Sequence, residues 1–291
     1  MMRIHSHKRK SFHLFLLLWS TVFSIQLYAQ EDVSSRPDQR WLKKIDELFQ
    51  HGQFGSAAQY IESLQSQSNP NLHEEVKETL NFKRLQIGVI ENEAFYIQKA
   101  ILFFGTTGNM PFRAQIAYLL ANHYFELSMY KEALAYLESI EQVYLTNSQN
   151  EQVQFQKAVS YFSEKKFDNA KPYLRSILQI DHSIYLSDAQ YYLGFISFSE
   201  NKFEDALPFF QAIEKDPIYA KAIPFYLAYI YHDKGNDAKA LEYGEAYLVS
   251  SDGLHQVEMM QLLASIYFNK DEYVKTAAFY EKLLSEGLSL N

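Results

Sequence analysis

The sequence predicts an all-α fold in which antiparallel helix-turn-helix units stack into an α-solenoid, and three observations carry that prediction. One short pattern recurs along nearly the whole chain at intervals of about 36 residues. Within each copy the apolar residues advance by threes and fours, the step of an amphipathic helix. A polar turn divides each interval into two such stretches, which is a helix pair rather than one long helix.

At the N-terminus, MMRIHSHKRK is a basic head and SFHLFLLLWSTVFSIQLYAQ an apolar run with Ala29 before Gln30. Residues 1–29 therefore read as a secretory signal peptide. The competing reading is an uncleaved anchor, since Phe12 to Ala29 approaches spanning length, although Ser11, Ser20, Thr21, Ser24 and Gln26 dilute the run. The Ala-Gln junction resembles those of exported proteins of Bacteroidetes-type bacteria and implies a periplasmic or cell-envelope location. Loss of Arg3, Lys8, Arg9 and Lys10 with the signal leaves 23 basic against 35 acidic residues, a net charge of −12. That charge repels phosphate backbones and anionic membranes, so neither nucleic acid nor direct membrane insertion after cleavage is expected. The absence of cysteine excludes thiol catalysis and thiolate metal sites and leaves stability to helix packing.

Residues 30–40, QEDVSSRPDQR with its preceding junction, form a flexible lead, and Trp41 is expected to begin the first helix. Residues 41–111 hold degenerate helical units and 112–291 an array of about five regular ones. The copies are clearest in HYFELSMYKEALAYLESI, SYFSEKKFDNAKPYLRSI and SFSENKFEDALPFFQAI, where an aromatic precedes an alanine by three: Tyr130–Ala133, Phe167–Ala170 and Phe203–Ala206. A small residue stands twelve before each alanine (Ala121, Ala158, Gly194). Apolar residues stand four and seven after it: Leu137, Leu174 and Phe210, then Ile140, Ile177 and Ile213. Further copies surround Ala57, Ala240 and Thr276, and a degenerate one surrounds Ala100, with Gly88 twelve before it.

This set of small, aromatic and alanine marks resembles the tetratricopeptide repeat, over roughly residues 40 to 290. The resemblance implies a right-handed superhelix whose first helices line a concave groove for a protein or peptide, and no enzyme activity or cofactor. Physically, two antiparallel helices approach closely only where side chains are small, so Gly194 is expected to face Ala206, with Phe203 filling the space beside the turn Ser199-Glu200-Asn201-Lys202. Pro172 and Pro208 read as early-helix prolines. Gln65–Glu75 and Phe104–Pro111 are exposed connections.

Candidate chemistry is sparse. His232-Asp233-Lys234-Gly235-Asn236-Asp237 begins like a calcium loop, but position eleven after Asp233 is Gly244, not a carboxylate, and the stretch falls where the array needs a turn. Gly105-Thr106-Thr107-Gly108 lacks the Lys and Ser or Thr of a phosphate cradle. The histidines have no metal spacing, and Glu204-Asp205 and Glu74-Glu75 lie on solvated faces. The groove that the resemblance implies would be lined by Tyr118, Asn122, Phe125, Phe155, Phe162, Tyr191, Phe195, Phe198, Phe225, Tyr229, His232 and Phe268. Of the family's Lys, Arg and Asn clamp for terminal carboxylates only Asn122 matches. Two readings of this stripe stay open: an aromatic groove for an extended or helical peptide, or core between repeats. The alternative to a binding module is a scaffold, possibly the N-terminal part of a longer chain, with Leu283, Leu284, Leu288 and Leu290 partly exposed at its end.

Overall fold

The computed structural model describes residues 37–66, 73–250 and 255–285. The signal peptide, the lead up to residue 36, the middle of the Gln65–Glu75 connection and the leucines Leu288 and Leu290 lie outside the described residues. Seven helix pairs and no strand occur among the described residues. They are α1 (Pro37–Gln50) with α2 (Phe54–Ser66), α3 (Glu74–Ile90) with α4 (Ala94–Thr106), and α5 (Met110–Glu126) with α6 (Tyr130–Glu138). Then come α7 (Asn147–Ser163) with α8 (Phe167–Ile177), and α9 (Leu186–Ser199) with α10 (Phe203–Ala212). The last two are α11 (Ile223–Asp233) with α12 (Asp237–Ser250), and α13 (Gln256–Asn269) with α14 (Tyr273–Ser285). The chain divides at Asn150 and Glu151 into two compact units.

Every pair closes through the same turn. Gly52, Asn92, Ser128, Lys165, Asn201, Gly235 and Asp271 each adopt a left-handed backbone, with φ between 56° and 71°. The next amide donates to the carbonyl five residues back, as Lys202 does to Ser197 at 2.8 Å and Glu272 to Tyr267 at 2.9 Å. This bond satisfies a carbonyl that the end of the first helix would otherwise leave open. HDKGND is one of these seven turns, between α11 and α12.

Five residues beyond each turn lies the buried centre of the pair. Ala57, Ala133, Ala170, Ala206 and Ala240 are fully buried. Thr276 takes the same place, its hydroxyl donating to the Glu272 carbonyl at 3.2 Å so that no buried polar group is stranded. The turn at Asn92 corrects the second pair: its centre is Ile97, not Ala100, and the residue twelve before is the buried Leu85, not Gly88. Spacings then run 40, 36, 37, 36, 34 and 36. Gly88 does mark a close approach, but to Tyr96: a Cβ there would stand 2.1 Å from the Tyr96 Cβ.

Three further expectations shift by about one turn. The space beside Gly194 is filled by the ring of Phe210, 2.8 Å from where a Cβ would be, rather than by Ala206. Side chains on a helix lean toward its N-terminus, so Phe210 covers the level of the alanine before it. Pro172 and Pro208 are the sixth residues of α8 and α10, past the first turn, so each removes the bond that the carbonyl of Asp168 or Glu204 would accept. The first helix begins at Pro37, before Trp41, with a proline where its missing N–H is harmless. In the last described helix Leu283 is buried and Leu284 is 62% exposed.

Candidate aromatic binding face

First helices end on a ring that meets the ring opening the second helix. Phe49–Phe54, Phe125–Tyr130, Phe162–Phe167, Phe198–Phe203 and Phe268–Tyr273 all have centroids between 5.2 and 5.6 Å apart. In the sixth pair His232 and Asp237 occupy these two positions, with Nδ1 2.8 Å from Oδ1. His232 is therefore the polar version of a clasp that is aromatic in five pairs, while the second pair has Val89 and Ala94 at the two positions.

In the second unit the remaining stripe residues join into one network of rings. Phe155 stacks on Tyr185 at 4.3 Å, and Phe162 meets Tyr192 at 4.7 Å and Phe195 at 5.4 Å. Phe195 and Phe198 both reach Tyr226, at 6.3 and 5.1 Å. Phe198 continues to Tyr229, Tyr229 to Phe225, and Phe225 to His255. Tyr191 stacks on Tyr219 at 4.8 Å. Phe155, Phe162, Tyr191, Phe195, Phe198, Phe225, Tyr229 and His232 are all half-buried, packed against neighbouring rings or side chains with part of each left accessible. Among the described residues Phe268, at the end of α13, has Tyr273 as its one ring partner, and it is 56% exposed.

The polar atoms of this face are tethered. Tyr229 Oη donates to the Glu258 carbonyl at 3.2 Å, Tyr219 donates to the Asp188 carboxylate, and the Tyr191 and Tyr226 hydroxyls lie 3.4 Å apart. Burial pushes the pKa of Tyr191, Tyr226 and Tyr229 upward, and that of Tyr219 is raised by burial and then by Asp188. All four stay neutral at physiological pH. The phenols of this face are thus neutral and hydrogen-bonded, suited to burying apolar or aromatic side chains rather than to acid–base chemistry.

The first unit places its three stripe residues differently. Tyr118 is 3% exposed, its hydroxyl pushed up to about 12 by burial and partnered by Asn122, itself buried, while Phe125 is half-buried in its clasp. Sequence reasoning missed Tyr185, Tyr192, Tyr219, Tyr226 and His255, which complete the ring network. A signal was available for two of them: Tyr192 and Tyr226 both stand fourteen residues before a buried alanine. Among the described residues no group of three His, Asp or Glu is placed to hold a metal ion, and no helix is long and apolar enough to cross a membrane.

Comparison with known proteins agrees with this architecture. Residues 198–255 match the family described as tetratricopeptide repeat. No curated protein matches the chain. Among solved structures, the apo form of RapI is similar with a TM-score of 0.50 at 14% identity, over 85% of this chain and 75% of that one. A tetratricopeptide repeat protein from Parabacteroides merdae is similar with a TM-score of 0.45 at 15% identity, over 87% and 94%. NprR in complex with its cognate peptide NprX gives 0.42 at 16%, over 87% and 77%.

Proposed function

We propose that this chain is a non-catalytic interaction protein of the bacterial cell envelope, exported by residues 1–29, that binds an extended or helical segment of another protein. The observation that carries the reading is the half-exposed ring network of the second unit, from Phe155 to Phe225 and Tyr229. Rings already locked against each other lose little freedom when a partner covers them, so their area converts efficiently into affinity. The net charge of −12 favours a basic partner segment. The match to the tetratricopeptide repeat family over residues 198–255 supports an interaction module.

The test places a photo-crosslinking residue at Phe195 or Tyr229, with Ser176 on a second helix as the control position. Crosslinks in an envelope extract should form from the first two positions and not from the third. Equal crosslinking from all three, or unchanged capture by a folded Phe195→Ser/Tyr229→Ser variant, overturns the reading.

One observation favours the scaffold alternative. Phe268 and Tyr273 are 56% and 57% exposed, whereas their counterparts Phe198 and Phe203 are half-buried, with Tyr226 and Tyr229 of the next pair against Phe198. If that end joins the array to other components, Phe268→Ser/Tyr273→Ser abolishes the association and the changes at Phe195 and Tyr229 do not.

A further inference from the structure

The fifth pair lacks a ring that its neighbours possess. Nine residues before the buried centre, on the first helix, and three after it, on the second, several pairs carry aromatic residues stacked face to face. These are Tyr124–Tyr136 (5.6 Å), Tyr161–Tyr173 (5.8 Å), Tyr231–Tyr243 (5.6 Å) and Tyr267–Phe279 (6.0 Å), with interplanar angles of 4° to 17°. In the fifth pair these positions are Ser197 and Phe209. A cleft of about 350 Å³ opens there, floored by Leu193 and Phe209 and bordered by Ser197, Pro208, Lys171 and Arg175. In the second pair, where Gly88 holds the corresponding position, the Tyr96 side chain packs against it.

The polar end of the missing ring also has its partner waiting. Tyr231 Oη accepts from Gln211 Nε2 at 3.0 Å, and Tyr267 Oη donates to the Glu245 carboxylate. Gln211 and Glu245 each stand five residues after the buried centre of the preceding pair. The residue at that position before the fifth pair is Arg175, which lines the cleft and whose guanidinium has no ion-pair or hydrogen-bond partner among the described residues. Lys171, by contrast, is held by Glu200 at 2.6 Å and Asp168 at 3.1 Å. Glu204 and Asp205 also border the cleft and disfavour an anionic guest.

We infer that this cleft is a recognition pocket for an aromatic side chain of a partner, a tyrosine, whose ring stacks on Phe209 and whose phenol oxygen accepts from Arg175. The pocket takes from outside what Tyr231 and Tyr267 supply within their own pairs. It is walled by the second helices α8 and α10 over Leu193 and Ser197 of α9, and it shares no residue with the ring network, so it stands or falls independently of that face.

The probe is 4-methylphenol, the tyrosine side chain alone, titrated into the full chain and followed by ligand-detected NMR. Saturable binding with a dissociation constant on the order of 1 mM is expected for so small a ligand. Ser197→Tyr, which fills the cleft from within, should abolish it and raise the melting temperature. Arg175→Met should weaken it about tenfold, the worth of one charge-assisted hydrogen bond, and erase the preference for 4-methylphenol over toluene. Phe209→Ala should also lose binding, whatever Ser197→Tyr does to folding. Three results overturn the proposal: no saturable binding to the unaltered chain, undiminished binding to Ser197→Tyr or Phe209→Ala, or a Ser197→Tyr variant that melts below it.

Discussion

Lys165 shows how little the turns depend on side-chain identity. It holds φ at 58°, in the region that disfavours any residue with a Cβ, and Ser128 at 60° and Asp271 at 60° do the same. The left-handed conformation costs a residue with a Cβ about 1–2 kcal/mol, while glycine adds back roughly 0.4–1 kcal/mol of unfolded-state entropy. Lys165→Gly is therefore expected to stabilise the fold by about 0.5 kcal/mol, seen as a higher urea midpoint at unchanged slope. Gly88 argues the opposite way. Alanine gains about 1 kcal/mol of helix propensity, yet its Cβ would stand 2.1 Å from the Tyr96 Cβ, a backbone-anchored atom that cannot swing aside. The clash dominates, and Gly88→Ala should lose about 1–3 kcal/mol, read as a lower denaturation midpoint. These left-handed residues were hard to see in the sequence because Asn, Ser, Lys and Asp all serve. The alanines five residues later were plain, because a small residue lets the two helices of a pair pack closely, and five of the seven centres carry one.

At the level of the helix pair, the third to fifth units were the most legible for a physical reason: small residue, aromatic and alanine report one packing constraint three times over, whereas the sixth has Asp237 for the aromatic and the seventh Thr276 for the alanine. The second unit was misplaced because Leu85 and Ile97 occupy its centre and no small residues mark the crossing. The candidate face was legible only in part. Phe155, Phe195 and Tyr229 could be found by register, but whether a ring faces solvent or the next pair depends on rings such as Tyr226 that arrive from a separate helix. Ion pairs linking successive pairs were not legible at all. Lys171 of α8 reaches Glu200 at the end of α9 at 2.6 Å, and Lys202 reaches it at 2.7 Å. Lys171 and then Lys202 hold the Glu200 carboxyl below its usual range. A carboxylate whose folded pKa is depressed adds stability that is complete above its unfolded pKa, about 4.3, and fades as pH falls through the folded value. Lys171→Met should accordingly flatten the decline of melting temperature below pH 5, and an identical acid limb would refute this account of Glu200.

Across the whole molecule the dominant titration lies at the other extreme of pH. Burial pushes Tyr118 up to about 12; burial and then Glu214 push Tyr243 up to about 12; and Tyr191, Tyr219 and Tyr226 shift the same way. A tyrosine whose folded pKa is raised contributes stability that is complete below its unfolded pKa of about 10 and is lost as pH rises toward the folded value. Between pH 10 and 12 the fold should lose helix while phenolate absorbance at 295 nm appears in the same transition. Ionisation of these tyrosines with ellipticity intact would contradict their burial. The stacked pairs have one more consequence, an optical one. Tyr124–Tyr136, Tyr161–Tyr173 and Tyr231–Tyr243 are held within 8° of parallel, so each of these hairpins carries its own near-ultraviolet dichroic signal, one that vanishes when local packing loosens even if the helices persist. Replacing one tyrosine at a time would assign the bands and let the opening of these hairpins be watched separately, whereas the fifth, with Ser197 and Phe209 at the two positions, has no such pair to report on it.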